Sequence, residues 1–150
     1  MKFMMIIKGD RNSEAGVMPD EKLIVAMGRY NEELMKAGVL LSAEGLHATS
    51  QGALLHYSKG KRTVTDGPFS EAKEVIAGFW MIQVKSKAEA IEWAKRIPFE
   101  ACDDGARDGV AEVELRQVFE MTECAPDKYP SEEARSTLAA EADFRKRSNA

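Results

Sequence analysis

The sequence predicts an α+β fold in which two helices cover one face of an antiparallel sheet. Three observations carry this. Residues 2–8 and 75–84 are short apolar runs with hydrophobic side chains on both alternating faces, as in strands at the centre of a sheet. Each run is followed by a stretch with helical spacing, and each helix by a further strand. The order strand, helix, strand therefore occurs twice, with a hairpin inserted between the halves.

The elements follow in turn. In residues 2–8, Phe3, Met5 and Ile7 share one face and Met4 and Ile6 the other. This run is too short for the core of a signal peptide and no small-residue cleavage site follows, so a first strand explains it better. Residues 9–18 carry Gly9, Asp10, Asn12, Ser13 and Gly16 and read as loop. Pro19 and Asp20 open a helix with Leu23, Met27, Tyr30, Leu34 and Ala37 inward, and Gly38 stops it. Residues 39–46 form the second strand. Residues 53–65 form a hairpin whose turn is Ser58-Lys59-Gly60-Lys61.

Asp66-Gly67-Pro68 breaks the chain, and Ser70–Glu74 has room for one helical turn. After the strand at 75–84, Ser86 and Glu89 make a capping box. The helix it starts turns Ala90, Ile91, Ala94 and Ile97 inward and ends at Pro98. Residues 99–109 are loop. The last strand, 110–119, alternates Glu112, Glu114 and Arg116 with Val113 and Leu115, as beside an edge with one wet face. This order is that of a ferredoxin-like sandwich. With both helices on one face, the other face is apolar and open, which marks an interface. A homodimer pairing two such faces is the expectation. Residues 126–150 are a separate helical tail running from Ser131 to about Lys146, with Leu138, Ala142 and Phe144 as its thin apolar stripe, which leaves residues 1–125 as the main domain.

Composition excludes several classes. The chain has 150 residues, 44% hydrophobic and 31% charged, with a net charge of -4. That is the profile of a globular domain without the basic field that holds nucleic acid. No apolar run approaches the roughly 20 residues needed to cross a bilayer, so no membrane association is expected. Cys102 and Cys124 form no CxxC pair, which suits unpaired thiols in the cytoplasm. No GxGxxG, Walker loop, HExxH or GxSxG is present, so no cofactor and no metal is expected.

The polar residues concentrate at Thr65-Asp66-Gly67-Pro68-Phe69-Ser70-Glu71-Ala72-Lys73-Glu74. Gly67 and Pro68 fix the backbone, so the flanking side chains are held at low entropic cost. Asp66 serves either as a base and hydrogen-bond acceptor or as the cap of its own turn. His47, just after the second strand, is the acid–base partner if the hairpin folds back; otherwise His47 and His56 are structural. In a ligand site, Arg29 or Lys73 would hold an anionic group, Glu74 would add a second carboxylate, and Phe69 and Trp80 would form the apolar wall. Trp80, Phe79 and Met81 suit plain core and dimer packing better than a pocket wall.

Asp66-Gly67-Pro68-Phe69, extended through Glu74 and followed by Gly78-Phe79, resembles the DGPF branch of the YCII-related family. The likeness continues in Tyr30, Glu33, Leu34 and Ala37-Gly38, in Ala90-Ile91-Glu92-Trp93-Ala94 and in Val113-Glu114-Leu115-Arg116, over roughly residues 1–120. It implies a dimeric ferredoxin-like α/β barrel. Many members of the broader family carry a His on the first helix and an Asp just after the second, and one branch is a dehydrochlorinase. Here those positions fall near Met27 or Gly28 and near Ile97, so that mechanism does not transfer. Some genes of this branch lie beside, or are fused to, extracytoplasmic-function sigma factors. Two functions follow as expectations. One is a small-molecule site, in a lyase- or isomerase-type enzyme or a binder, built on Asp66 and His47. The other is a non-catalytic interaction module with a sigma factor as partner.

Overall fold

The two apolar runs lie side by side. β1 (Lys2–Lys8) pairs antiparallel with β5 (Ile76–Gln83), Phe3 opposite Ile82 and Met5 opposite Trp80. β2 (Leu40–Gly45) adds to the far side of β5, and β6 (Val113–Gln117) to the far side of β1. The order β2-β5-β1-β6, antiparallel throughout, is compatible with the ferredoxin-like expectation. It puts both apolar runs at the centre and the charged β6 at an edge. The computed structural model from which this is read describes residues 1–68, 75–101, 110–120, 128–129 and 131–148. The helical turn expected at Ser70–Glu74 and both cysteines lie outside the described residues.

Residues 9–18, expected as loop, contain a short helix, α1 (Arg11–Glu14). Asp10 caps it: its carboxylate accepts from the Ser13 amide, while its own amide donates to Ser13 Oγ, each at 2.8 Å. α2 (Glu21–Lys36) starts where expected, with Asp20 accepting from the Leu23 amide at 2.7 Å. Leu23, Tyr30 and Leu34 are buried on its inner face, Met27 packs beside them, and Gly38 turns the chain at φ 68°.

α3 (Lys87–Lys95) is capped by Ser86, but Glu89 reaches back to the amide of Lys85 rather than of Ser86. Its inward stripe is also rotated from the expected one. Ala90 and Ala94 face the core with Ile97 beyond the helix end, whereas Ile91 is exposed and Trp93 packs in its place. The Tyr30 hydroxyl donates to the Trp93 carbonyl at 2.9 Å and Arg96 pairs with Glu33, so α2 and α3 are tied to each other as well as to the sheet.

The core between helices and sheet is built on Phe3, Met5, Leu34 and Ile82, all fully buried. Fully burying a side chain of this kind contributes about 1.5–3 kcal/mol. On the opposite face of the sheet, Met4, Phe79 and Met81 are half-buried and Ile6 is buried. The hairpin forms as expected, β3 (Ala53–Ser58) with β4 (Lys61–Asp66), but it pairs only with itself, as a separate two-stranded sheet. Its turn has Lys59 at φ 47° and Gly60 at φ 76°, the positive pair that a two-residue hairpin needs.

The chain divides into two compact units, Met1–Gln117 and Val118–Ala150. The second contains α4 (Glu132–Ser148), started by Ser131, whose hydroxyl accepts from the Ala134 amide at 3.1 Å. Ala134, Leu138 and Ala142 are half-buried along α4, while Phe144, expected on that stripe, is 62% exposed. Arg145 pairs with Glu141 one turn back.

Candidate functional site

One end of the sheet gathers the polar residues. β1 leaves the sheet through Gly9, whose amide donates to the Val75 carbonyl at 2.6 Å. A Cβ on Gly9 would lie 3.2 Å from Val75, a tight approach. The chain then turns into α1, and Glu14 at its end reaches across to the segment after β2. One carboxylate oxygen of Glu14 accepts from the Thr49 amide at 3.0 Å, the other from the Thr49 hydroxyl at 2.5 Å. Thr49 begins a single 3₁₀ turn, Thr49–Gln51, and the Leu46 amide donates to the Ala77 carbonyl of β5 at 2.8 Å. The loop that carries His47 is therefore held by β5 on one side of it and by α1 on the other.

The end of β4 closes onto this loop. The Gly67 amide donates to the Gly52 carbonyl at 3.0 Å, and the Gly67–Pro68 peptide is cis. A Cβ on Gly67 would stand 1.7 Å from the Thr49 carbonyl oxygen, so the two backbones touch and only glycine fits. Asp66 and His47 are both exposed, on two segments that meet at Gly67 and Thr49. These contacts join the residues that lead into β3 with the residue that follows β4; His47 lies two residues before Thr49 and Asp66 one before Gly67.

The other expected site residues fall elsewhere. Trp80 is 4% exposed beneath α2; its indole donates to Asn31 Oδ1 at 2.7 Å, and its ring meets Tyr30 edge-on at 5.6 Å between centroids. Arg29 lies on the exposed side of α2. Phe69, Lys73 and Glu74 lie outside the described residues. Of the positions near which the resemblance would put a His and an Asp, Met27 packs against the core, Gly28 is exposed and Ile97 is buried.

Glu14 is the residue that sequence reasoning passed over. Asp10 and Ser13 at cap spacing were its only signal, and a helix of four residues shows no apolar period. Two further groups have perturbed acidity. Lys8 donates to Glu114 across β1 and β6 at 2.7 Å; that hydrogen bond first, then the Lys8 charge, hold the Glu114 carboxyl below its ordinary value. Burial pushes the Tyr30 hydroxyl up, which keeps it a donor to Trp93 at all ordinary pH.

The YCII-related domain model matches residues 1–122. The chain is also similar to an uncharacterized protein of Rhizobium meliloti (strain 1021), with 34% identity over 76 residues. That stretch covers 51% of this chain and 61% of the relative, so the chain spans less than two thirds of the relative's length.

Proposed function

Since the chain belongs to the YCII-related family, we propose that it is a member of the DGPF branch that binds a small molecule at the corner where Asp66 and His47 approach. Residues 1–125 form the domain that carries the site, and residues 126–150 a helical tail. The protein works in the cytoplasm as a homodimer, a dimeric α/β barrel in which two sheets face each other through Met4, Phe79 and Met81.

The observation that carries this reading is the seat of Gly67 on the Thr49 carbonyl. Gly67, next to Asp66 in the chain, is held against Thr49, two residues after His47, and Glu14 anchors Thr49. Two ionisable side chains carried close to one fixed backbone contact suit acid–base work. In a lyase- or isomerase-type step, Asp66 accepts the proton or hydrogen bond and His47 supplies or receives its counterpart. Lys73 would hold an anionic group on the ligand, with Glu74 and Phe69 completing the lining.

A thermal-shift screen against small carboxylates, phenols and sugar acids tests the proposal. A ligand that binds only folded protein raises the melting temperature, by an amount set by about 2.7 kcal/mol at a hundredfold excess over Kd. The expected result is a rise in wild type that disappears in Asp66→Asn. A screen without any rise in wild type overturns the ligand reading.

A second reading has its own observation, since the hairpin is exposed at every residue of both strands. In that reading the protein is a non-catalytic interaction module associated with an extracytoplasmic-function sigma factor, and Asp66 only caps its turn. Asp66→Asn then lowers stability and there is no ligand response to lose.

A further inference from the structure

The β3–β4 hairpin has two unlike faces. Its register places Ala53, Leu55, Tyr57, Arg62, Val64 and Asp66 on one side. The other side is mostly polar, with His56, Thr63 and Thr65 around Leu54. On the first face Leu55 is 51% exposed, Tyr57 66% and Val64 65%. A two-stranded hairpin alone is marginally stable in water, and this one leaves its apolar face uncovered.

The charges on that face say what covers it. Arg62 lies near the tip, its guanidinium over the Tyr57 ring at 5.7 Å, and Asp66 lies at the base. Four residues of strand separate them, about 13 Å at the usual strand rise. A twofold axis crossing the strands at the Leu55–Val64 pair brings Arg62 over the partner's Asp66, and Asp66 over the partner's Arg62. The same rotation sets Tyr57, the largest side chain on the face, over the partner's Ala53, the smallest. An axis along the strands would set Arg62 over the partner's Tyr57 and leave each carboxylate opposite an alanine. The face is complementary to itself in one orientation, in both charge and volume.

We infer that the apolar face of this hairpin is a self-association surface whose occupant is the same hairpin of a second copy, held in register by reciprocal Arg62–Asp66 pairs. The contact is isologous and closes on itself. It needs no ligand, although it shares Asp66 with the ligand reading, and it uses a different surface from the sheet face. Six side chains per copy make a small interface, below the usual ~800 Å² per partner, so association is weak and the charge pairs decide its register.

Sedimentation of the full chain over roughly 1–500 μM, without added ligand, tests this. Wild type, Arg62→Asp, Asp66→Arg and the double exchange are compared, with far-UV circular dichroism confirming that each is folded. Wild type is expected to self-associate in a step additional to any sheet-face dimer, each single variant to weaken that step at least about tenfold, and the double exchange to return it to within about threefold of wild type. A wild type monomeric over the whole range overturns the inference. So do single variants that associate like wild type, or a double exchange as weak as the singles. Association that Met81→Glu abolishes and Arg62→Asp leaves intact assigns the contact to the sheet face and likewise overturns it. The ligand reading fails separately, by the absence of a thermal shift.

Discussion

A methyl group at position 67 would stand 1.7 Å from the Thr49 carbonyl oxygen, and that oxygen belongs to backbone pinned by Glu14. Neither partner can move away freely. Gly67→Ala is therefore expected to destabilise the protein by about 2–3 kcal/mol, in the range of overpacked cores. Gly28 is the control, since it sits inside α2 with nothing within 4 Å of an added Cβ. Gly28→Ala is expected to stabilise by about 0.5–1 kcal/mol, because alanine loses less backbone freedom in a helix. Urea melts of the two variants should move in opposite directions; equal shifts would mean that the contact at Gly67 does not constrain the fold. At this scale the caps were legible, because Asp20, Ser86 and Ser131 each stand directly before a helical period. The corner was legible only in part. Asp66, Gly67 and His47 stand out by residue type, but the partner of Thr49 is a glutamate that local spacing does not mark.

Elements with long periods read clearly and short ones did not. α2 presents Leu23, Tyr30 and Leu34 over about three turns, so its buried face follows from spacing, although Ala37, expected inward, is the exposed C-cap. α3 has nine residues, and there the spacing alone set Ile91 inward, whereas the packing prefers the larger Trp93, with Arg96 stacked on its ring at 4.3 Å. The pairing of β1 with β6 adds a pH-dependent element. Glu114 in the folded protein titrates below its ordinary value because Lys8 donates to it. A lowered folded value means that the pair stabilises the fold above the unfolded carboxylate pKa of about 4.3, and that this stability is lost as pH falls through the folded pKa. Glu114→Gln should melt slightly below wild type at neutral pH. The gap should close on acidification through that window, and in high salt, because the pair is partly solvated. A gap that persists in acid would mean that Glu114 acts by packing instead of by charge.

The order of the sheet was legible because two strands were apolar on both faces and had to be central. That leaves the amphipathic β2 and β6 for the edges. The place of the hairpin was not legible, since alternation fixes a strand but not what it packs against. The same bookkeeping of burial predicts which part of the chain folds independently. Among the described residues, every buried hydrophobic side chain lies between Phe3 and Ile97, and the sheet is completed by β6 at Gln117. None is contributed by α4, whose inner positions are only half-buried. A chain cut after residue 122, where the family match ends, retains the whole of that core. It should unfold in one cooperative transition with a melting temperature within about 5 °C of the full chain, a shift that corresponds to roughly 1 kcal/mol. Loss of the cooperative transition on truncation would mean that residues beyond 122 take part in the fold of the first unit. An unchanged transition with altered self-association would instead assign them to the surface between copies.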